Sequence, residues 1–403
     1  MPFSLQVLFY KTLMFFIGVA AKVIPQPKPT VYCGPDSALR LTNSMIQFGY
    51  KKVLIVTDRV LHEMGLLDPI KDKLASAGVE VTVYDGVEPN PTFSQVHEGL
   101  KLAKDNQCDS ILTVGGGSPI DTAKIISLSA VPGAKAPEKF VGLFKARKAG
   151  LPLFAVPTTA GTGSEVSVGA VISDPVTHEK GVIADPKTVP TAAALDPNLM
   201  LGLPAPITAA TGMDALTHAV EAYISKLATE ATDSYAMASV KLIFGNLREC
   251  YSNGGNVDAR ESMAVASFYA AVAFNKAFLG YVHGIAHQFG GHYNTPHGLA
   301  NAIVLPHILD YSKDACADRL AELAVAVDLG SSTESNSVLA QKFVDAVREL
   351  NNDLGIPKTL DALKSTDIPE IAKGALKESH FTYPVPKYMD QAQCEALIGK
   401  MVS

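Results

Sequence analysis

The 403-residue chain has no tryptophan, and charged residues make up only 18% of it. Lys and Arg number 34 against 40 Asp and Glu, a formal charge of −6. That balance leaves no cationic surplus for the several phosphates a nucleic-acid site must neutralise, so nucleic acid is excluded as a partner. Cysteine is scarce too. Its five copies, Cys33, Cys108, Cys250, Cys316 and Cys394, are odd in number, far apart and without a C-x-x-C. This excludes a disulfide framework and leads us to expect a reducing, cytoplasmic setting. Internal repeats and low-complexity tracts are missing. With 47% apolar residues the chain is neither disordered nor fibrous, and its length suits two or three domains. Histidine is what the composition concentrates: of ten copies, His283, His287, His292, His297 and His307 fall within 25 residues.

Residues 3–21, FSLQVLFYKTLMFFIGVAA, are the one long apolar run near an end. Lys11 at mid-run would cost ~2.5–3.5 kcal/mol in a bilayer centre, and no basic segment precedes the run as in a signal peptide. Leu5, Leu8, Phe9, Leu13, Phe16, Ile17 and Ala20 recur at helical spacing. We therefore expect a helix whose apolar face meets a membrane surface or another subunit. The proline-rich IPQPKPT, residues 24–30, should end it.

From there to about residue 203 the pattern alternates. KVLIVT (52–57), VEVTVY (79–84), SILTV (110–114) and LPLFAV (151–156) read as strands, with helices expected near 61–77 and 93–106. Such alternation predicts β-α-β units and a parallel sheet. After Pro204 the segments 207–225, 231–251, 258–277 and 314–327 are alanine-rich and helical in period. The expected fold class is thus an α/β parallel-sheet domain of dinucleotide-binding type over 26–203, then an all-helical domain over 204–403. Residues 1–25 precede both as an apolar extension.

Three consecutive glycines, Gly115, Gly116 and Gly117, follow the strand SILTV directly. Ser118 as N-cap, Pro119 at the first helical position and Asp121 in a Ser-x-x-Asp pattern predict a helix start. Glycine lets backbone N–H groups close on an anion, and the positive end of a helix favours one. The run is not a G-x-G-x-x-G fingerprint, so the loop alone does not name its ligand. Asp58, ending KVLIVT, can accept hydrogen bonds from ribose hydroxyls and repel a 2′-phosphate, which favours NAD; a plain helix cap is the competing reading. PTTAGTGSEV, residues 157–166, adds hydroxyls at Thr158, Thr159, Thr162 and Ser164 that suit a phosphate or a polar turn.

Asp214 and His218 in TGMDALTHAVE lie four apart on a helical segment, one above the other. His283 and His287 repeat the spacing, and His297 follows an Asn-Thr-Pro turn. An acid and several imidazoles in alanine-rich surroundings are costly to bury without a cation. One carboxylate with three imidazoles suits a first-row metal such as Fe²⁺ or Zn²⁺ rather than Mg²⁺ or Ca²⁺.

GGGSPIDTAK, PTTAGTGSEV, TGMDALTHAVE and HGIAHQFGGHYNTPHGLANAIVLPH together resemble the iron-containing (group III) alcohol dehydrogenases, a family that includes lactaldehyde reductase and NAD-dependent ethanol and butanol dehydrogenases. The resemblance runs from about Pro27 to the C-terminus. It implies reversible hydride transfer between a primary alcohol, or its aldehyde, and NAD at a cleft between two domains, and a tendency to dimerise. It also implies metal ligands at Asp214, His218, His283 and His297, with His287 beside the metal; we expect His287 to pass a proton, the competing roles being to position the nicotinamide or to orient His283. Cofactor positions implied are Asp58, Asn90, Gly115, Gly116, Gly117, Ser118, Asp121, Thr158, Thr159, Thr162 and Lys180. Two features depart from the family pattern: the first ~25 residues, and His292, which with His307 is read as structural. The closest alternative is an NADP-dependent aldehyde reductase. Dehydroquinate synthases resemble the same scaffold, but their phosphate and carboxylate substrate needs basic residues, and 277–307 contains no Lys or Arg. A non-catalytic metal-binding or membrane-tethered protein is opposed by the intact glycine loop.

Overall fold

The computed structural model describes residues 2–24, 26–176 and 180–403, with Lys22 as backbone only. Met1, Pro25 of the proline-rich run and Thr177, His178 and Glu179 lie outside the described residues. The chain divides into two compact units. One comprises Pro25–Leu203 with Gly255–Phe268; the other comprises the chain up to Ile24, Pro204–Gly254 and Tyr269–Ser403.

The first unit holds nine strands: β1 (Thr30–Cys33), β2 (Lys52–Val56), β3 (Glu80–Tyr84), β4 (Ser110–Gly115), β5 (Gly142–Leu143), β6 (Leu153–Pro157), β7 (Gly169–Ser173), β8 (Lys180–Ala184) and β9 (Ala192–Leu195). Six of them make one all-parallel sheet in the order β1-β9-β6-β4-β2-β3. β4 and β6 are buried along their whole length, which is why SILTV and LPLFAV read as unbroken apolar runs. Alternate residues serve opposite faces. Leu54, Val56 and Ile111 pack with Phe93, Val96 and Ile126 on one side. Val53, Ile55, Leu112 and Phe154 pack with Leu41, Met45 and Ile70 on the other. Each such fully buried side chain contributes roughly 1.5–3 kcal/mol. A second sheet, β5-β8-β7, pairs β7 antiparallel to β8.

Several local expectations need correction. The helix near 61–77 is two helices, Arg59–Glu63 and Asp68–Ser76, because Gly65 at φ +72° breaks the run. β1, β5, β7, β8 and β9 lie outside the expected strands: β5 is two residues long, β7 and β8 each carry a glycine, and the AAAL of β9 suits a helix as well as a strand. Ser118 is not an N-cap. The helix Gly117–Ala130 starts two residues earlier, with Gly116 at the cap. The Asp121 carboxylate closes no capping box; it accepts from Val171 N–H at 2.9 Å and lies 3.7 Å from buried Lys124. Lys124 in turn donates to Ser167 and Gly169, so the two residues pin β7 and the turn before it.

The second unit is helical. Its helices are Phe3–Val23, Ala205–Ile224, Glu230–Ser252, Tyr281–Tyr293, His297–Ser312, Ala317–Ala326, Asn336–Asp353, Ile368–Thr382 and Gln391–Ile398, with the end of Val257–Ala277. Beyond Leu203 the described residues form no ladder except an isolated bridge between Leu360 and Val402. The helix Phe3–Val23 forms as expected. Met14 and Gly18 are buried, the Tyr10 ring stacks on Tyr388 at 5.7 Å, and a Cβ on Gly18 would meet Leu227 at 2.5 Å. Leu5, Leu8, Phe9 and Phe16, from the face expected to meet a membrane surface or another subunit, are exposed.

Candidate metal centre and cofactor loops

Three helices of the second unit build the histidine cluster. Ala205–Ile224 carries Asp214 and His218 one turn apart, Tyr281–Tyr293 carries His283 and His287, and His297 opens His297–Ser312. Gly298 lets the last of these approach the first: a Cβ there would lie 2.3 Å from the Ala210 carbonyl oxygen. One side-chain donor atom from each of Asp214, His218, His283 and His297 lies within 4.8 Å of all the others. Asp214 Oδ1 stands 3.9 Å from His218 Nε2, 4.0 Å from His283 Nε2 and 3.6 Å from His297 Nε2.

The donor set fits a transition metal. Bonds of ~2.0–2.2 Å in a tetrahedral arrangement place ligand atoms roughly 3.3–3.6 Å apart, close to the spacings found. His283 Nδ1 faces Glu221 Oε2 at 2.6 Å, which places its proton there and turns the Nε2 lone pair toward the other donors. Burial, with His218, His297 and His287 as neighbours, holds His283 well below the usual imidazole range, so the ring is neutral. Asn301 Nδ2 donates to Asp214 Oδ1 at 2.7 Å and lies 3.2 Å from the Nε2 atoms of His283 and His297.

In the first unit the expected cofactor residues gather at the C-terminal ends of adjacent strands. β4 ends at Gly115; Thr158, Thr159 and Thr162 follow β6, and Asp58 follows β2. Thr158 N–H donates to the Gly115 carbonyl at 3.0 Å. A Cβ on Gly117 would meet the Thr162 methyl at 3.0 Å, so glycine is what lets the two loops close on each other. An open parallel sheet binds ligands at this edge. One oxygen of Asp58 accepts from Leu61 N–H at 3.0 Å and caps Arg59–Glu63. Asn90 sits at φ +57° in the turn between β3 and the helix Phe93–Asp105, and Lys180 begins β8.

Residues 27–197 match the profile described as iron-containing alcohol dehydrogenase, and residues 208–402 match the C-terminal profile of the same family. The chain is 43% identical to 1,3-propanediol dehydrogenase of Klebsiella pneumoniae over 353 residues, 87% of this chain and 91% of that one. The chain belongs to the iron-containing alcohol dehydrogenase family. Against NAD-dependent methanol dehydrogenase of Bacillus methanolicus it is 39% identical over 352 residues, 87% of this chain and 92% of the relative. A solved 1,3-propanediol oxidoreductase superposes with a TM-score of 0.90 at 41% identity, covering 94% of this chain and 100% of that one. The protein is therefore a metal-dependent alcohol dehydrogenase, an oxidoreductase whose family uses NAD and iron.

Within this dehydrogenase His287 stands apart from the four converging donors. Its ring stacks on His297 at 5.3 Å, and its Nδ1 lies 2.7 Å from Glu378 Oε1. The buried Tyr383 hydroxyl donates to the same oxygen at 2.6 Å. Burial would raise the Glu378 carboxyl, but His287 and the two hydrogen bonds outweigh it and hold the group below the usual range. His292 is exposed at the last turn of its helix and His307 is half-buried one helix further on; neither belongs to the converging set. Sequence reasoning missed Glu221, Glu378, Tyr383 and Asn301. Two of them left a signal: Glu221 follows Asp214 by seven residues and Asn301 follows His297 by four, so each shares a helix face with an expected ligand.

Proposed function

We propose that Asp214, His218, His283 and His297 hold the ion and that a small primary alcohol, or the matching aldehyde, is the substrate. The convergence of one carboxylate oxygen and three imidazole nitrogens carries this reading. Relatives that act on 1,3-propanediol and methanol support the substrate class. When bound, a divalent cation supplies a Lewis acid and NAD a hydride acceptor, the pair that interconverts an alcohol and an aldehyde.

The chain's own residues do the rest. Asp214 brings the single negative charge, and Glu221 keeps the His283 lone pair aimed inward. Glu378 fixes the His287 proton on Nδ1, leaving Nε2 to take the proton that the alcohol releases. His287 is the catalytic residue of this scheme. Gly115, Gly116, Gly117 and Ser118 at the helix start, with Thr158, Thr159 and Thr162 opposite, form the pyrophosphate cradle. Asn90 and Lys180 complete the cofactor side, while Asp121 serves it indirectly by holding β7. Asp58 receives the ribose, and its charge excludes a 2′-phosphate. Asp58→Gly should shift the NADP to NAD ratio of kcat/KM upward by about tenfold; an unaltered ratio removes the ribose contact.

Zn²⁺ binds such a ligand set more tightly than Fe²⁺, so occupancy follows availability. Elemental analysis of anaerobically purified protein, with NADH formation from a panel of alcohols, tests the whole reading. One iron per chain with turnover is expected; full turnover in Asp214→Ala protein lacking metal would end it. The protein is further read as a cytoplasmic homodimer whose residues 3–21 form an outward contact surface.

A further inference from the structure

The helix Phe3–Val23 precedes the family match and carries none of the residues assigned to catalysis. Leu5, Leu8, Phe9, Phe15, Phe16 and Val19 are each at least 50% exposed. At 100° per residue they occupy the sector opposite buried Met14 and Gly18. Phe381, 50% exposed and 6.4 Å from Phe9 between ring centres, widens the stripe. Single exposed apolar side chains are ordinary, but a continuous stripe along about four turns marks a surface that something covers.

We propose that this stripe seats the enzyme on an anionic lipid surface. The helix lies along its unit rather than projecting from it, because Tyr10 stacks on Tyr388 and Gly18 packs under Leu227. Only the outward face can enter a bilayer, which describes an interfacial helix and not a span. Its charge selects the partner. Phe3–Val23 contains no Asp or Glu, its only charged residues in sequence being Lys11 and Lys22, and Lys11 is exposed. Lys377, also exposed, precedes Phe381 by one turn. Anionic headgroups complement these cations, whereas a symmetric second copy would set lysines against lysines. Area argues the same way. A stripe ~20 Å long and ~10 Å wide offers on the order of 200 Å², well short of the ~800 Å² per partner of a stable protein interface.

The inference rests on the outward-contact reading of residues 3–21 and is independent of the metal assignment. Full-length holoenzyme is sedimented with sucrose-loaded vesicles of phosphatidylcholine alone or with about 30% phosphatidylglycerol. At least tenfold more protein should pellet with the anionic vesicles, and the difference should shrink as salt rises. Phe16→Glu should abolish pelleting while alcohol turnover and metal content stay at the wild-type level. Lys11→Glu should lower pelleting about threefold on anionic vesicles only. Since the chain lacks tryptophan, Phe16→Trp gives a single reporter whose emission should shift to the blue on vesicle addition. Absence of both pelleting and a blue shift overturns the proposal. So does Phe16→Glu pelleting like wild type, or converting a sedimenting dimer to monomer without any vesicle binding. Failure of the dehydrogenase reading would appear separately, as lost turnover with vesicle binding intact.

Discussion

Two carboxylate–imidazole pairs stand side by side in the helical unit, and they differ in their contact with water. Glu221 and His283 have side chains 2% and 1% exposed, while Glu378 and His287 keep 28% and 25%. The hydrogen bonds are almost equal, 2.6 and 2.7 Å. Glu221 also accepts from Val282 N–H at 2.7 Å, which holds its carboxylate in place beside His283. Glu378 instead answers to a tyrosine hydroxyl and stays low. The same chemical pair thus serves two ends: dry and braced by backbone, it fixes an orientation; wetter and tied to a side chain, it is placed to pass a proton.

The contrast breaks most sharply at its centre. His283→Ala should lose the metal and lower turnover by about a thousandfold or more, measured by elemental analysis and NADH formation. His287→Ala should keep the metal; equal metal loss in both variants would erase the distinction. Next comes Glu221→Ala, expected to weaken metal retention against a chelator about 10- to 100-fold, with Glu221→Gln intermediate. Glu378→Gln should retain metal fully, lower kcat about tenfold and alter the pH-rate profile. An unchanged profile would leave His287 a purely structural role.

Glu165, a buried carboxylate of the first unit, pairs with no imidazole among the described residues and gives the smallest effect. Burial raises its carboxyl from 4.5 to about 7, only partly offset by a backbone hydrogen bond and Lys124. Folded protein therefore holds a proton there that unfolded chain releases. The stabilisation is complete below about pH 4.5 and is lost as pH rises through 7. Glu165→Gln should flatten that fall, gaining on the order of 2 kcal/mol over wild type at pH 8 relative to pH 5 in thermal unfolding. Parallel curves would mean that Lys124 neutralises the site at every pH.

Much of this was legible in linear order because period and spacing are local properties. Apolar runs announced β2, β3, β4 and β6, and the four-residue spacings of Asp214 with His218 and His283 with His287 placed each pair on one helix face. A two-residue strand, strands holding a glycine and the alanine run of β9 left too little strand signal. Glu378 and Tyr383 lie about ninety residues beyond His287, a separation no pattern bridges.

By itself the sequence determined the order of α/β and helical segments, the glycine bend and the kinds of atom available to bind an ion. Those follow from backbone sterics and side-chain chemistry, which each residue carries with it. Only the tertiary structure decided which imidazole nitrogen faces which oxygen, that Glu221 braces one histidine and Glu378 another, and which side of Phe3–Val23 meets solvent. Burial and contact between distant segments are properties of packing, and they exist only once the helices have met.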